Sequence, residues 1–127
     1  MEARDHRPKH LNLLQIRLPV TGFVSIAHRL SGVMLFAFIP VSVYWLEASL
    51  ASEASFTMLL ESLSSPVMKL ILTLLSWAFI HHLLAGIRFL LLDLHIGVGK
   101  VYSRQGAWAV LAAELFLVAC FAIGIWI

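Results

Sequence analysis

Two short stretches of this sequence hold side chains whose types and spacing could do chemistry. In the first, VSIAHRLSG, Ser25, His28, Arg29 and Gly32 fall at i, i+3, i+4 and i+7. That spacing places all four on one face of a helix. A hydroxyl, an imidazole and a guanidinium beside a residue without a side chain make a cationic, hydrogen-bonding surface open to close approach. Such a surface suits a carbonyl, a quinone anion or a carboxylate. In the second stretch, FIHHLLAGIRFLLLD, His82, Gly86, Phe89 and Asp93 share one helix face, and His81, Ala85 and Arg88 form the adjacent stripe. A neutral imidazole in an apolar setting needs a partner for its N–H and another for its bare nitrogen. It either ties two helices together or gives the bare nitrogen to a metal, as in a haem iron ligand. Gly86, one turn from His82, would leave room for a flat macrocycle against the helix. Arg29, His28 and Arg88 would then stand where its two propionates could be received.

The elements that must position these groups follow from composition. The 127 residues are 61% hydrophobic and 13% charged, against about a quarter charged in an ordinary soluble domain. This excludes a disordered chain and argues against a free-standing soluble enzyme. The single cysteine, Cys120, excludes an internal disulfide and a cysteine-rich metal site and reads as a packing residue. The formal charge of +2 points to no nucleic-acid partner. Leu30 to Leu46 and Leu70 to Ile87 contain no charged residue, and Gln105 to Ile127 contains only Glu114. Extended at their ends, these stretches reach the roughly 20 residues that cross a bilayer as helix. Helix is the form that satisfies its own backbone inside lipid. The expectation is an all-α integral membrane protein with three transmembrane helices, about 22–46, 67–92 and 105–127. Residues 1–21 form a segment before them, in which His10 to Leu18 reads as an amphipathic stretch on the membrane surface. Pro40 lies inside the first helix, Pro66 at the start of the second, and Gly97, Gly99 and Gly106 mark the turn between the second and third.

Charge sets the expected orientation. Arg4, Arg7, Lys9 and Arg17 precede the first span, and Lys100 and Arg104 follow the second. Glu47, Glu53 and Glu61 dominate the intervening loop. The N-terminus is therefore expected on the cytoplasmic side and the C-terminus on the periplasmic side, with Trp45, Trp108 and Trp126 near the interfaces. No apolar stretch directly follows the first basic residues, so the segment does not read as a cleavable signal. Glu2 and Asp5 make it too acidic for a mitochondrial leader. A bacterial inner (cytoplasmic) membrane, crossed several times, is the expected location. Glu114 has no charged neighbour in sequence and reads as a carboxyl that is protonated or bonded to another helix.

The run from Ser25 to Gly32 (S-I-A-H-R-L-S-G) and the run from His82 to Phe89 (H-L-L-A-G-I-R-F) with Asp93 downstream resemble the two motifs of a known family. That family is the cytochrome b membrane anchor, the larger of two anchor chains, of bacterial succinate dehydrogenase (respiratory complex II). Arg7-Pro8 followed by Leu11-Asn12-Leu13 is similar to its N-terminal segment, so the resemblance runs from about Arg7 to the C-terminus. The resemblance implies that His82 is an axial ligand of haem b. It implies that Ser25 and Arg29 contact ubiquinone, and that His28 and Arg29 lie near a haem propionate. The register selects His82 over His81, because the motif glycine follows His82 by four residues. The second haem ligand would come from the smaller anchor subunit. An iron–sulfur subunit and a flavoprotein would complete the complex, so this chain would be catalytic only as part of it. Phe89 stands where many relatives carry histidine. Two other readings remain: a purely structural anchor, of this complex or of a fumarate reductase, without quinone contact, and a small proton-conducting subunit using His82 and Glu114. A further arrangement would make His28 the second ligand within this chain, against which its shallower place along the helix counts.

Overall fold

The computed structural model describes residues 18–127. The expected segment 1–21, with its amphipathic stretch and its Arg7-Pro8 element, therefore lies almost entirely outside the described residues. Among these there are four helices in chain order and no strand: α1 (Val20–Ala51), α2 (Glu53–Leu63), α3 (Pro66–Asp93) and α4 (Lys100–Trp126). α1, α3 and α4 are each long and apolar enough to cross a membrane. At about 1.5 Å per residue they run roughly 40–48 Å, longer than the ~30 Å hydrocarbon layer.

The three long helices match the three expected spans but overrun them. α1 continues past Leu46 to Ala51, and α4 begins at Lys100 rather than at 105. A helix keeps its backbone bonds after its side chains turn polar, so hydropathy marks the apolar layer and not the helix ends. The loop expected after the first span contains α2. The break before it is at Ser52, whose extended backbone (φ −165°, ψ 163°) leaves the helical region. Ser52 and Ser55 then form a reciprocal cap: the Ser55 N–H donates to Ser52 Oγ at 3.1 Å, and the Ser52 N–H donates to Ser55 Oγ at 3.0 Å. Glu53 in the first turn complements the helix dipole. Pro66 opens α3, as expected, behind a Ser65 cap. Gly97 adopts φ +78°, the left-handed backbone that the α3–α4 turn requires. Gly106 does not belong to that turn; it lies inside α4, for a reason that Arg88 supplies below.

α3 packs against both α1 and α4, and α4 also touches α1. The residues at the centre are small: Val24, Ala85, Ala107 and Val110 form one buried cluster. Larger apolar side chains such as Phe36, Leu50, Leu90 and Leu115 point outward. Between apolar helices in lipid there is no hydrophobic driving force, so close backbone approach and interhelical hydrogen bonds hold the bundle. Among the described residues the buried polar ones are accordingly few: Ser31, His81 and Arg88.

Candidate functional site

The two stretches singled out by residue type meet where α1 crosses α3. His28 and His82 stack face to face, with ring centroids 4.1 Å apart and planes within 8°. Each ring lies over a glycine of the opposite helix. A Cβ at Gly32 would stand 2.9 Å from His82 Cε1, and one at Gly86 would stand 3.4 Å from His28 Nε2. The space expected beside Gly86 for a macrocycle is thus taken by the His28 ring. Phe89 completes the face, edge-on to His28 at 5.2 Å.

His82 Nδ1 lies 3.1 Å from the His28 carbonyl oxygen and 3.3 Å from Ser31 Oγ. The Ser31 hydroxyl donates to the same carbonyl at 2.9 Å. A carbonyl only accepts, so Nδ1 carries the hydrogen and donates. In the neutral ring Nε2 is then the bare nitrogen, and it finds no hydrogen-bond partner among the described residues. An imidazole oriented through one nitrogen and free at the other is the arrangement of a metal ligand. Among the described residues no group of three His, Cys, Asp or Glu side chains could hold a metal ion. A metal bound here would have to bring most of its own ligands, as an iron in a macrocycle does.

His81, the neighbour, turns to the other side of α3. Its side chain is fully buried. Nδ1 hydrogen-bonds to Glu114 Oε2 of α4, and Nε2 lies 3.3 Å from the Val24 carbonyl of α1. Trp77 packs over the ring at 5.6 Å. Both nitrogens are engaged, so His81 has none to give a metal, and Glu114 is bonded to another helix as one of its two readings required.

Arg88 follows the His81 stripe and not the His82 face. Its Nη2 donates to the Ser103 carbonyl at 3.0 Å and to Ser103 Oγ at 2.9 Å, both in α4. A Cβ at Gly106 would stand 3.5 Å from Arg88 Nε. Gly106 is therefore a bare patch of α4 across which the guanidinium passes. The stripe expected beside the His82 face thus turns Arg88 to α4, by the roughly 100° between neighbouring helix positions. Arg88 Nε is buried without a partner.

The stripe Ser25, His28, Arg29 and Gly32 is divided in the same way. His28 and Gly32 face α3. Ser25 is half-buried and Arg29 is exposed on the flank of α1. The two residues expected at ubiquinone are thus presented outward beside the histidine pair. The stacked rings also bear on His28 as a second ligand within this chain. The His28 and His82 rings lie parallel and in contact, 4.1 Å apart, which leaves no room between them for a metal that both would hold. Ser31 is the contributor that residue type alone did not single out. Its signal was its place in the VSIAHRLSG stretch, between His28 and Gly32. Further along the same contact an apolar groove of about 490 Å³ runs between α1 and α3, lined among others by Leu35, Phe38, Leu75 and Phe79.

The sequence profile of the succinate dehydrogenase/fumarate reductase transmembrane subunit matches residues 3–121. The chain is 32% identical over 121 residues to the succinate dehydrogenase cytochrome b556 subunit of Coxiella burnetii, covering 94% of this chain and 97% of that one. It is 32% identical over 114 residues to the subunit of the same name from Paracoccus denitrificans, covering 90% and 88%. The corresponding subunit of Rickettsia felis is 28% identical over 116 residues, covering 91% and 90%.

Proposed function

The chain belongs to the family of succinate dehydrogenase/fumarate reductase transmembrane subunits, and from that membership we propose that it holds haem b through His82 and forms part of a ubiquinone-reducing site with Ser25 and Arg29. As a subunit of a succinate dehydrogenase it is the membrane anchor of an oxidoreductase complex. In this reading the flavoprotein oxidises succinate and an iron–sulfur subunit brings the electrons to the cytoplasmic edge of the inner membrane. A smaller anchor subunit supplies the second haem ligand. The observation that carries the haem assignment is the hydrogen bonding of His82, which fixes Nδ1 as donor and leaves Nε2 as a lone-pair nitrogen. The alternative use of such a histidine, tying helices through both nitrogens, is performed one residue away by His81.

When bound, the haem supplies a one-electron carrier between the partner chains. The residues of this chain do the rest. The His28 carbonyl and Ser31 orient the His82 ring, and Gly32 makes the space for it. His28 and Arg29 stand at the rim as donors for a propionate. Reduction of ubiquinone to ubiquinol takes two electrons and two protons. Arg29 holds negative charge as it develops on the quinone oxygen, where a fixed cation in a dry site is most effective. The Ser25 hydroxyl donates a hydrogen bond to the quinone.

The test is a reduced-minus-oxidised optical spectrum of the purified four-subunit complex. His82→Ala is expected to lose the b-type band. His81→Ala is expected to keep it, if at lower yield. A b-type band retained at full intensity in His82→Ala overturns the assignment.

A further inference from the structure

Among the described residues His81 and Glu114 form a largely buried ionisable pair, and the function proposed above makes no use of them. The pair lies at a junction of three helices. His81 belongs to α3, its Nδ1 partner Glu114 to α4, and its Nε2 partner, the Val24 carbonyl, to α1. Since the carbonyl only accepts, Nε2 carries a hydrogen. Nδ1 then either accepts from a protonated Glu114 or donates to its carboxylate. In both forms the pair is neutral as a whole and the bond to Val24 is unchanged. That neutrality is what allows two ionisable groups to stand inside an apolar bundle.

The placement of the Val24 carbonyl gives the pair its consequence. His81 reaches Val24 and His82 reaches His28, so two successive residues of α3 are fastened to carbonyls one turn apart on α1. One such bond would still let α3 roll against α1. Two, made from positions about 100° apart around α3, fix both roll and slide. Glu114 closes the third side and holds the His81 ring in the tautomer that can donate to Val24. We propose that the His81–Glu114 pair is a positioning device for the neighbouring ligand. By locking the rotation of α3 it sets the direction in which His82 Nε2 points, and hence the axial ligand field of the haem. The inference rests on His82 being the ligand.

The experiment uses the intact complex with three variants: Glu114→Leu, Glu114→Gln and His82→Ala. Haem content, the low-spin electron paramagnetic resonance signal, the haem midpoint potential and the thermal midpoint of the complex are measured for each. Leucine removes the partner of His81 Nδ1. The amide N–H of glutamine can still donate to it while Nε2–H donates to Val24. Glu114→Leu is expected to keep the haem but to shift its resonance signal and midpoint potential, and Glu114→Gln to restore both. A Glu114→Leu complex with a lowered thermal midpoint and unmoved resonance and potential overturns the proposal, because the pair then serves packing alone. Glu114→Gln shifting as far as Glu114→Leu also overturns it. Haem retained in His82→Ala removes the ligand reading itself, an outcome that none of the Glu114 results can mimic.

Discussion

The two contacts that α3 makes are built from the same materials and finished differently. Toward α4, the contact is nearly closed: His81 is bonded to Glu114 and, at its other nitrogen, to the Val24 carbonyl of α1, and Arg88 is fastened to Ser103 by a carbonyl and a hydroxyl, though its Nε has no partner. Toward α1, the contact is tight but incomplete. His82 has one nitrogen satisfied and the other bare, while Arg29 and Ser25 flank it without facing α3. Adjacent histidines on one helix thus have opposite fates, decided by which face of α3 each occupies. Inside lipid, an unsatisfied polar atom is expensive. A helix that ties one of two adjacent histidines at both nitrogens and leaves the other with one nitrogen bare is arranged for something to be added at the bare nitrogen.

The largest effect expected of breaking this contrast is kinetic. Arg29→Leu removes the exposed cation of the unfinished side and touches nothing on the closed one. Quinone reductase activity is expected to fall by about 10²-fold, the scale seen when one charge-stabilising donor is lost. Succinate oxidation measured with a soluble dye acceptor should stay at the wild-type rate. Equal loss of both activities would mean that Arg29 supports assembly, and the purely structural anchor would become the better reading.

The glycines sharpen the comparison within the α1–α3 contact. A Cβ at Gly32 would fall inside the contact distance of His82, whereas one at Gly86 would meet His28 at an ordinary separation. Gly32→Ala must displace the proposed ligand ring, a cost of about 1–3 kcal/mol for overpacking. Gly86→Ala should be near neutral, since alanine gains roughly 0.5–1 kcal/mol over glycine within a helix. Thermal melts and haem content of the two purified complexes check this. If Gly86→Ala loses haem and Gly32→Ala keeps it, the open space lies beside Gly86 after all, as the sequence first suggested.

How much of this was legible in the sequence depends on the distance over which each signal acts. The three spans follow from runs of apolar residues, which any window along the chain detects. The two stripes of α3 follow from helical period, and both exist as faces with separate partners. α2 escaped because its opening cap is Ser52 with Ser55, lacking the acidic third residue that usually marks such a start. The partner of His81 escaped because it lies 33 residues away. A signal was nonetheless available. In an antiparallel hairpin, residues equally spaced from the turn lie side by side. His81 stands 16 positions before Gly97 and Glu114 17 after it; Arg88 and Gly106 stand nine before and nine after. Reading α3 and α4 as a hairpin about Gly97 would have paired both. No such symmetry relates α1 to α3, because α2 intervenes. The stacking of His28 on His82 was therefore not available from spacing, and depth along each helix alone placed the two apart.

The smallest expected effect falls on the closed side. Ser103→Ala deletes one of the two acceptors for Arg88 Nη2 and leaves the other, the backbone carbonyl, in place. The guanidinium is not orphaned, so the loss should stay near about 1 kcal/mol, the net worth of an ordinary hydrogen bond, and short of the penalty for stranding a buried charge. The complex should melt slightly earlier, with the haem spectrum and quinone turnover unmoved. The prediction matters for what it must not do. Arg88 lies one turn beyond Ala85 on the stripe that carries His81, on the α4 side of α3. Should Ser103→Ala shift the haem signal, the Arg88–Ser103 contact would be acting on the direction of His82 alongside the His81–Glu114 pair, and the positioning would not belong to that pair alone.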